Sequence, residues 1–493
     1  MNIGFDNDKY IELQSKSIID RISKFNEKLY LEFGGKMFDD LHASRVLPGF
    51  KPDSKIRVLE KLKDKCEIIF CISAKDIERN KIRADYGTSY SQEVYRLMDR
   101  LRGVGLYVSS VVITLFEGQE KAKKFADELK QKGESVYFHT YTKGYPNDVD
   151  VIVSDEGYGK NPYIETTRPL VIVTAPGPAS GKLATCLCQL YHEYKRGVKA
   201  GYAKFETFPI WNLSLTHPVN IAYESATADL KDVNIIDPYH LAKYGTYAVN
   251  YNRDIELFPV LKKILEKISG YSEYNSPTDM GVNMAGYAIS NDENVKRASE
   301  NEIIRRYMNG KVQFTKGQID SETLDRLNLL MSKVGLKEED RDLVVENRRV
   351  VQETNFQAVT IKLKNGKLIS GKMKNILSAT SACILNALKE LAQIDDKKII
   401  IDSKVFEPIL KLKSETLDTN IKMLSLEDIL IAMSICTNYD EDARVAMGKL
   451  EELKGCELHS SYILSQKEER ILKLLRISVT SENEYLNDKS IEW

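Results

Sequence analysis

Between positions 7 and 25 the apolar residues Tyr10, Leu13, Ile18, Ile19, Ile22 and Phe25 recur near the helical period, and the spacing predicts an amphipathic helix. A short strand is expected at 28–33. The pattern then repeats, with helices at 54–64, 92–101 and 120–131 and strands at 67–73, 109–116, 135–141 and 149–153. Residues 169–174 form a continuous apolar run bounded by turn formers, as in strands covered on both faces by crossover helices. Alternation of this kind predicts a doubly wound, mostly parallel α/β domain over residues 1–230.

Beyond residue 230 the rhythm changes. Helices are expected at 258–269, 294–308 and 321–334, giving a mostly helical domain over 231–340. A C-terminal α/β subdomain is expected over 341–493. There, strands 358–363 and 368–373 flank Lys364-Asn365-Gly366-Lys367, where Asn-Gly supplies the positive φ angles of a tight hairpin. A helix at 381–391, a strand at 398–401 and helices at 426–434 and 440–453 complete the pattern.

Composition narrows the function classes. Lys plus Arg number 71 against 72 Asp plus Glu, so no basic excess exists to neutralise a nucleic-acid backbone or an anionic membrane. No apolar run approaches the roughly 18 residues of a membrane span, and residues 1–10 lack the apolar core of a secretory signal. A cytoplasmic protein is expected, with a small molecule as its partner and a homo-oligomer allowed. The seven cysteines, an odd number without a C-x-x-C pair, are expected as reduced thiols.

The segment richest in chemistry is 171–185, VIVTAPGPASGKLAT, ahead of a helical stretch at 186–196. A strand enters a small-residue turn and Gly181-Lys182 opens a helix, the geometry that turns unpaired backbone N–H groups toward a phosphate. Gly177, Ser180, Gly181, Lys182 and Thr185 are the candidate cofactor-binding residues for ATP or another phosphorylated ligand. The pattern resembles a P-loop but departs from it: Pro176 stands at the first glycine and Leu183 at the magnesium-holding hydroxyl. Asp155 and Asp237, each after an apparent strand, are candidate magnesium ligands at the sheet's carboxyl edge. A second glycine turn, Gly34-Gly35-Lys36, follows Glu32 and is a further phosphate candidate. In the loop 276–286 (SPTDMGVNMAG), Asp279 is a candidate for proton transfer, with Lys182 as the catalytic cation.

Residues 32–50 (EFGGKMFDDLHASRVLPGF), 154–160 (SDEGYGK), 174–185 (TAPGPASGKLAT), 203–212 (AKFETFPIWN) and 276–286 together resemble the bacterial uncharacterised protein family 0371 over essentially the whole chain. The resemblance implies a cytoplasmic bacterial protein with an N-terminal α/β domain, a helical middle and a C-terminal α/β subdomain. It transfers no catalytic residue. The family pattern has Gly where this chain has Ala179, which makes the turn stiffer here.

The leading expectation is an enzyme that binds ATP or another phosphorylated ligand and acts on a small metabolite. The alternatives are a nucleotide-independent enzyme whose turn anchors a substrate phosphate, and a non-catalytic phospho-ligand-binding protein. In either enzyme, Asp155 and Asp237 are expected on the edge that holds Lys182, with loop 276–286 closing over it across an interdomain cleft.

Overall fold

The computed structural model describes residues 3–25, 28–83, 87–271, 273–373, 376–417 and 423–486. The chain divides into two compact units, Asn2–Ser299 and Glu300–Trp493.

In the first unit the strands among the described residues are β1 (Leu29–Phe33), β2 (Cys66–Ser73), β3 (Tyr107–Thr114), β4 (Ser135–Phe138), β5 (Leu170–Thr174), β6 (Gly201–Phe205), β7 (Asn234–Ile236), β8 (Val249–Tyr251) and β9 (Gly281–Val282). Seven of them make one sheet in the order β4-β3-β2-β5-β1-β6-β9. Every neighbouring pair in it is parallel. The central strands β2 and β5 are buried along their whole length, which is why they are mostly apolar rather than alternating; Glu67 in β2 is buried and accepts from the Thr167 and Arg168 amides.

Strand order places the ligand crevice. From β1 the chain goes to β2, past β5; from β5 it goes to β6, past β1. Right-handed crossovers in opposite directions leave on opposite faces, so the neighbours β1 and β5 form the topological switch point. A crevice therefore opens beyond their carboxyl ends. The helix Asn7–Lys24 buries Tyr10, Ile11, Ile18 and Ile22 and reaches the sheet through Gln14, which donates to the Val282 carbonyl of β9 at 2.8 Å; Asp6 caps it by accepting from the Lys9 amide at 2.9 Å.

Residues 149–153 are not a strand. They form the short helix Val149–Ile152, because the Asp148 carboxylate accepts from the Val151 amide and Ile152 alone is buried. Asp237 does end a strand, but β7 pairs antiparallel with β8 outside the main sheet. Residues 231–299 lie in the first unit, where they contribute β9 to the sheet, and 300–340 lie in the second.

The second unit contains β10 (Ala358–Lys362), β11 (Leu368–Lys372), β12 (Glu457–Ser460) and β13 (Ser478–Ser481), in the order β11-β10-β12-β13. The expected hairpin joins β10 to β11, with Gly366 at φ +87° in its turn. Parallel pairing of β12 with β13 makes the sheet mixed. The helix Ala379–Ala392 covers it, and Val359, Ile361, Cys383, Ile384, Leu388, Met433 and Leu458 are among the residues of the core. Residues 398–401 form no strand but lead into the helix Ser403–Lys411, capped by Asp402. Among the described residues no helix is long and apolar enough to cross a membrane.

Candidate functional site

β5 delivers the chain into the turn 175–181, and the helix Lys182–Lys195 leaves from it at the switch point. Gly181 takes φ +82°, and a Cβ there would lie 2.9 Å from Thr114 Cγ2. Only glycine fits both the angle and the space. The Thr114 hydroxyl donates to the Ser180 carbonyl at 2.9 Å and ties the turn to the end of β3. Gly177 lies under the Tyr90 ring, whose Cζ would be 2.6 Å from an added Cβ.

The five predicted turn residues divide by direction. The Ser180 hydroxyl, fully buried, donates to the Gly177 carbonyl at 2.9 Å and braces the turn from within. Thr185 is also buried and accepts from the Cys71 thiol of β2 at 3.3 Å, so its hydroxyl faces the core. Gly177 and Gly181 supply close packing. Lys182 remains beside the crevice, 3.9 Å from the Glu32 carboxylate, and among the described residues no side chain caps the helix it opens. The other glycine turn runs alongside: Gly35 has φ +71°, and the Thr174 hydroxyl at the end of β5 donates to Met37 Sδ at 3.4 Å.

Asp155 is not brought to Lys182. It is exposed and accepts from the Tyr191 hydroxyl at 2.6 Å and from Lys195 at 3.2 Å. Tyr191 stands nine helical steps from Lys182, about 14 Å along the axis. Asp237 is fully buried with both oxygens engaged. One accepts from the Tyr239 and His240 amides at 3.0 Å, the other from the Thr278 amide at 3.2 Å and its hydroxyl at 2.7 Å. It is a helix cap that also clamps the segment around Thr278. The two aspartates therefore make no joint metal position with Lys182. Among the described residues no group of three His, Cys, Asp or Glu side chains is arranged to hold a metal ion.

Asp279 and the loop 276–286 lie in the same unit as the Lys182 turn, so no interdomain cleft lies between them. The loop joins the sheet as β9, three strand spacings from β5 in the order β5-β1-β6-β9, about 14 Å. Asp279 accepts from the Tyr244 hydroxyl and the Asn275 amide, both at 2.9 Å, and its carbonyl accepts from Arg21. Those contacts hold the loop.

Glu32, the side chain that meets Lys182, belongs to a polar set on β1 and beside β6. The register pairs Tyr30 with Tyr202 and Glu32 with Lys204, and the two-residue period puts Tyr202, Lys204 and Glu206 on the face that bears the Lys182 helix. Glu32 accepts from the Tyr202 hydroxyl at 2.8 Å. Lys204 pairs with Glu206 at 2.9 Å and with Asp254 in the first turn of the helix Asn252–Ser269. Burial works against the charge on Lys204, but Asp254, Glu206 and Glu32 outweigh it and hold the ammonium protonated. The Glu206 carboxyl is pushed up, chiefly by burial, with Asp254 and Glu32 adding to the rise and Lys204 opposing it.

Two family models cover the chain: "Domain of unknown function DUF1846, N-terminal" matches residues 3–335 and "Domain of unknown function DUF1846, C-terminal" matches 339–490. A UPF0371 protein of Clostridium botulinum is 55% identical over 497 residues, 99% of each chain. Counterparts in Clostridium tetani and Fusobacterium nucleatum are 55% and 54% identical, each over 98% of both chains. The chain belongs to the UPF0371 family. That confirms the resemblance carried by the five sequence segments, and the family is one of unknown function.

Two of those segments hold the residues that a reading of motifs overlooks. Lys204 and Glu206 lie in 203–212, and Glu32 begins 32–50. The available signal was the alternation Tyr202, Lys204, Glu206, polar groups at every second position of a buried strand, where a solvent-facing sheet would explain them but a parallel sheet does not. Asp254 carried no such signal, since an acid in a first helical turn is ordinary.

Proposed function

We propose that this chain binds a phosphorylated small metabolite at the β1/β5 crevice and acts on it without a nucleotide. What carries the reading is the uncapped N-terminus of the helix Lys182–Lys195, opening from β5 at the switch point with the Lys182 ammonium beside it. Backbone N–H groups at a helix start and a neighbouring cation are the recurring means of holding a phosphate. Two particulars favour an anchored substrate phosphate over ATP with magnesium. Leu183 occupies the place of the metal-binding hydroxyl, and Thr185, the next hydroxyl along the helix, is committed to Cys71.

A thermal-shift panel of sugar phosphates, inorganic phosphate and nucleotides with and without magnesium tests the class of ligand. Stabilisation by phosphates that is independent of magnesium is expected. Selective stabilisation by magnesium-ATP would replace the reading with the nucleotide one, and a bound phosphate that is never turned over but changes the oligomer size would replace it with a binding protein. By calorimetry, Lys182→Ala is expected to weaken the bound phosphate ligand by about 1.5–3 kcal/mol, the scale of a charged hydrogen bond. Equal affinity in the two proteins would remove the turn from the site.

A further inference from the structure

Glu206 follows directly on β6, on the sheet face that bears the Lys182 helix. Its carboxylate is almost fully buried, with 5% of the side chain exposed, and contacts Lys204 Nζ at 2.9 Å. Lys204 and Asp254 are about one quarter exposed, so the group is reached through them and is not sealed in the core. On the other side, Gly281 of β9 leaves space for it: a Cβ there would lie 2.9 Å from Glu206 Oε2 and 2.7 Å from Trp211 Cη2. The charged and titratable groups around it are Lys204 on its own strand, Glu32 on β1, Asp254 on the helix Asn252–Ser269, Arg21 on the first helix and Tyr251 on β8. β6 stands two strand spacings from β5, about 10 Å, so a ligand with its phosphate at Lys182 brings atoms several bonds away to Glu206.

We propose that Glu206 is the acid–base residue of this crevice and exchanges a proton with a hydroxyl of the metabolite whose phosphate Lys182 holds, an inference that rests on the phosphate reading of the Lys182 turn. The substrate class is a phosphorylated sugar, whose reacting hydroxyl is separated from its phosphate by a carbon chain. The carboxylate takes the hydroxyl proton as that oxygen's electron pair passes into a bond to its carbon and the second carbon–oxygen bond at that carbon of the sugar breaks. The Lys204 ammonium faces the charge that develops, and Glu206, now the neutral acid, gives the proton to the oxygen released. One carbon–oxygen bond forms and one breaks within one molecule, so no oxidant or second substrate enters. Elevation of the carboxyl by burial suits it to carry a proton nearer neutrality than an ordinary glutamate does.

Sulfate is the probe, because it has the shape and charge of a phosphate dianion and does not titrate between pH 5 and 8. Calorimetric titration of the intact protein with sulfate, in buffers of different ionisation heat, reads the protons exchanged on binding. A dianion at Lys182 raises the Glu206 carboxyl further, so uptake of a fraction of a proton is expected in the parent protein at some pH above the ordinary glutamate range, and the titration is repeated between pH 5 and 8. Glu206→Gln should bind sulfate within about threefold of the parent and lose that uptake, whereas Lys182→Ala should lose tenfold or more in affinity. Uptake that persists in Glu206→Gln, or is missing from a parent that binds sulfate, overturns the assignment to Glu206 and leaves the phosphate reading standing. Failure of the parent to bind sulfate overturns the phosphate reading. Glu206 is then judged by carbon-13 titration of its carboxyl in the ligand-free protein, its signal assigned by loss in Glu206→Gln or Glu206→Asp. A midpoint at or below about 4.3, the ordinary glutamate value, rejects the acid–base role.

Discussion

Ala179 adopts φ +56°, a left-handed conformation that costs an L-residue roughly 1–2 kcal/mol relative to glycine. The stiffness expected from an alanine in this turn is thus a real backbone strain. Ala179→Gly should stabilise the protein, by about 0.5–1 kcal/mol once the greater freedom of glycine in the unfolded chain is subtracted, as measured by denaturant unfolding. Loss of stability would show that the turn favours the alanine. A second single-residue effect belongs to His139, whose pKa burial lowers from 6.5 to about 4. The unfolded chain takes up a proton that the native imidazole refuses, so stability present above pH 6.5 is lost as the pH falls toward 4, up to about 3 kcal/mol in all. The unfolding free energy of the parent, followed between pH 7 and 4, should show this fall, and His139→Gln should lose it. An unchanged slope in the variant would assign the fall to other groups.

Among elements, a close backbone-to-backbone approach lies in the second unit. β11 runs against the helix Ala379–Ala392, where Asn386 Nδ2 donates to the Ser370 carbonyl at 2.9 Å. At Gly371 an added Cβ would overlap the helix backbone, 2.5 Å from the Ala382 carbonyl carbon. Backbone cannot turn aside as a side chain does, so Gly371→Ala is expected to cost about 3 kcal/mol, the upper end for overpacking. Denaturant unfolding of the intact chain checks this, and a cost under 1 kcal/mol would mean that strand and helix can separate. The same unit shows which elements a sequence reveals. The β10–β11 hairpin was legible because Asn365-Gly366 states its turn locally. Residues 149–153 misled because an apolar run broken only by Asp150 and five residues long has no distinctive period, and the capping by Asp148 decided for helix. β6 and β9 escaped notice: one is interrupted by the charge of Lys204, and the other is two residues long.

At the scale of the molecule all seven cysteines are free and buried. Burial pushes the thiols of Cys66 and Cys71 up to about 12, far from the thiolate form that reacts. Seven thiols should titrate after denaturation without reductant, and few in the native protein; a denatured count of five would reveal a disulfide. What the sequence determined by itself was local: the alternation of helix and strand, the turn before Lys182 and its likeness to a phosphate loop, and the membership of a family. These follow from periodicity and glycine geometry within some fifteen residues. Which side chains share the crevice was decided only by tertiary structure. Thr185 turns to Cys71 because β2 is the neighbour of β5, Asp237 becomes a cap because β7 lies outside the main sheet, and Lys204 meets Glu32 because β6 pairs with β1 across some 170 residues of chain. Strand order arises from crossovers that bury apolar faces over the whole unit, and no local spacing encodes it.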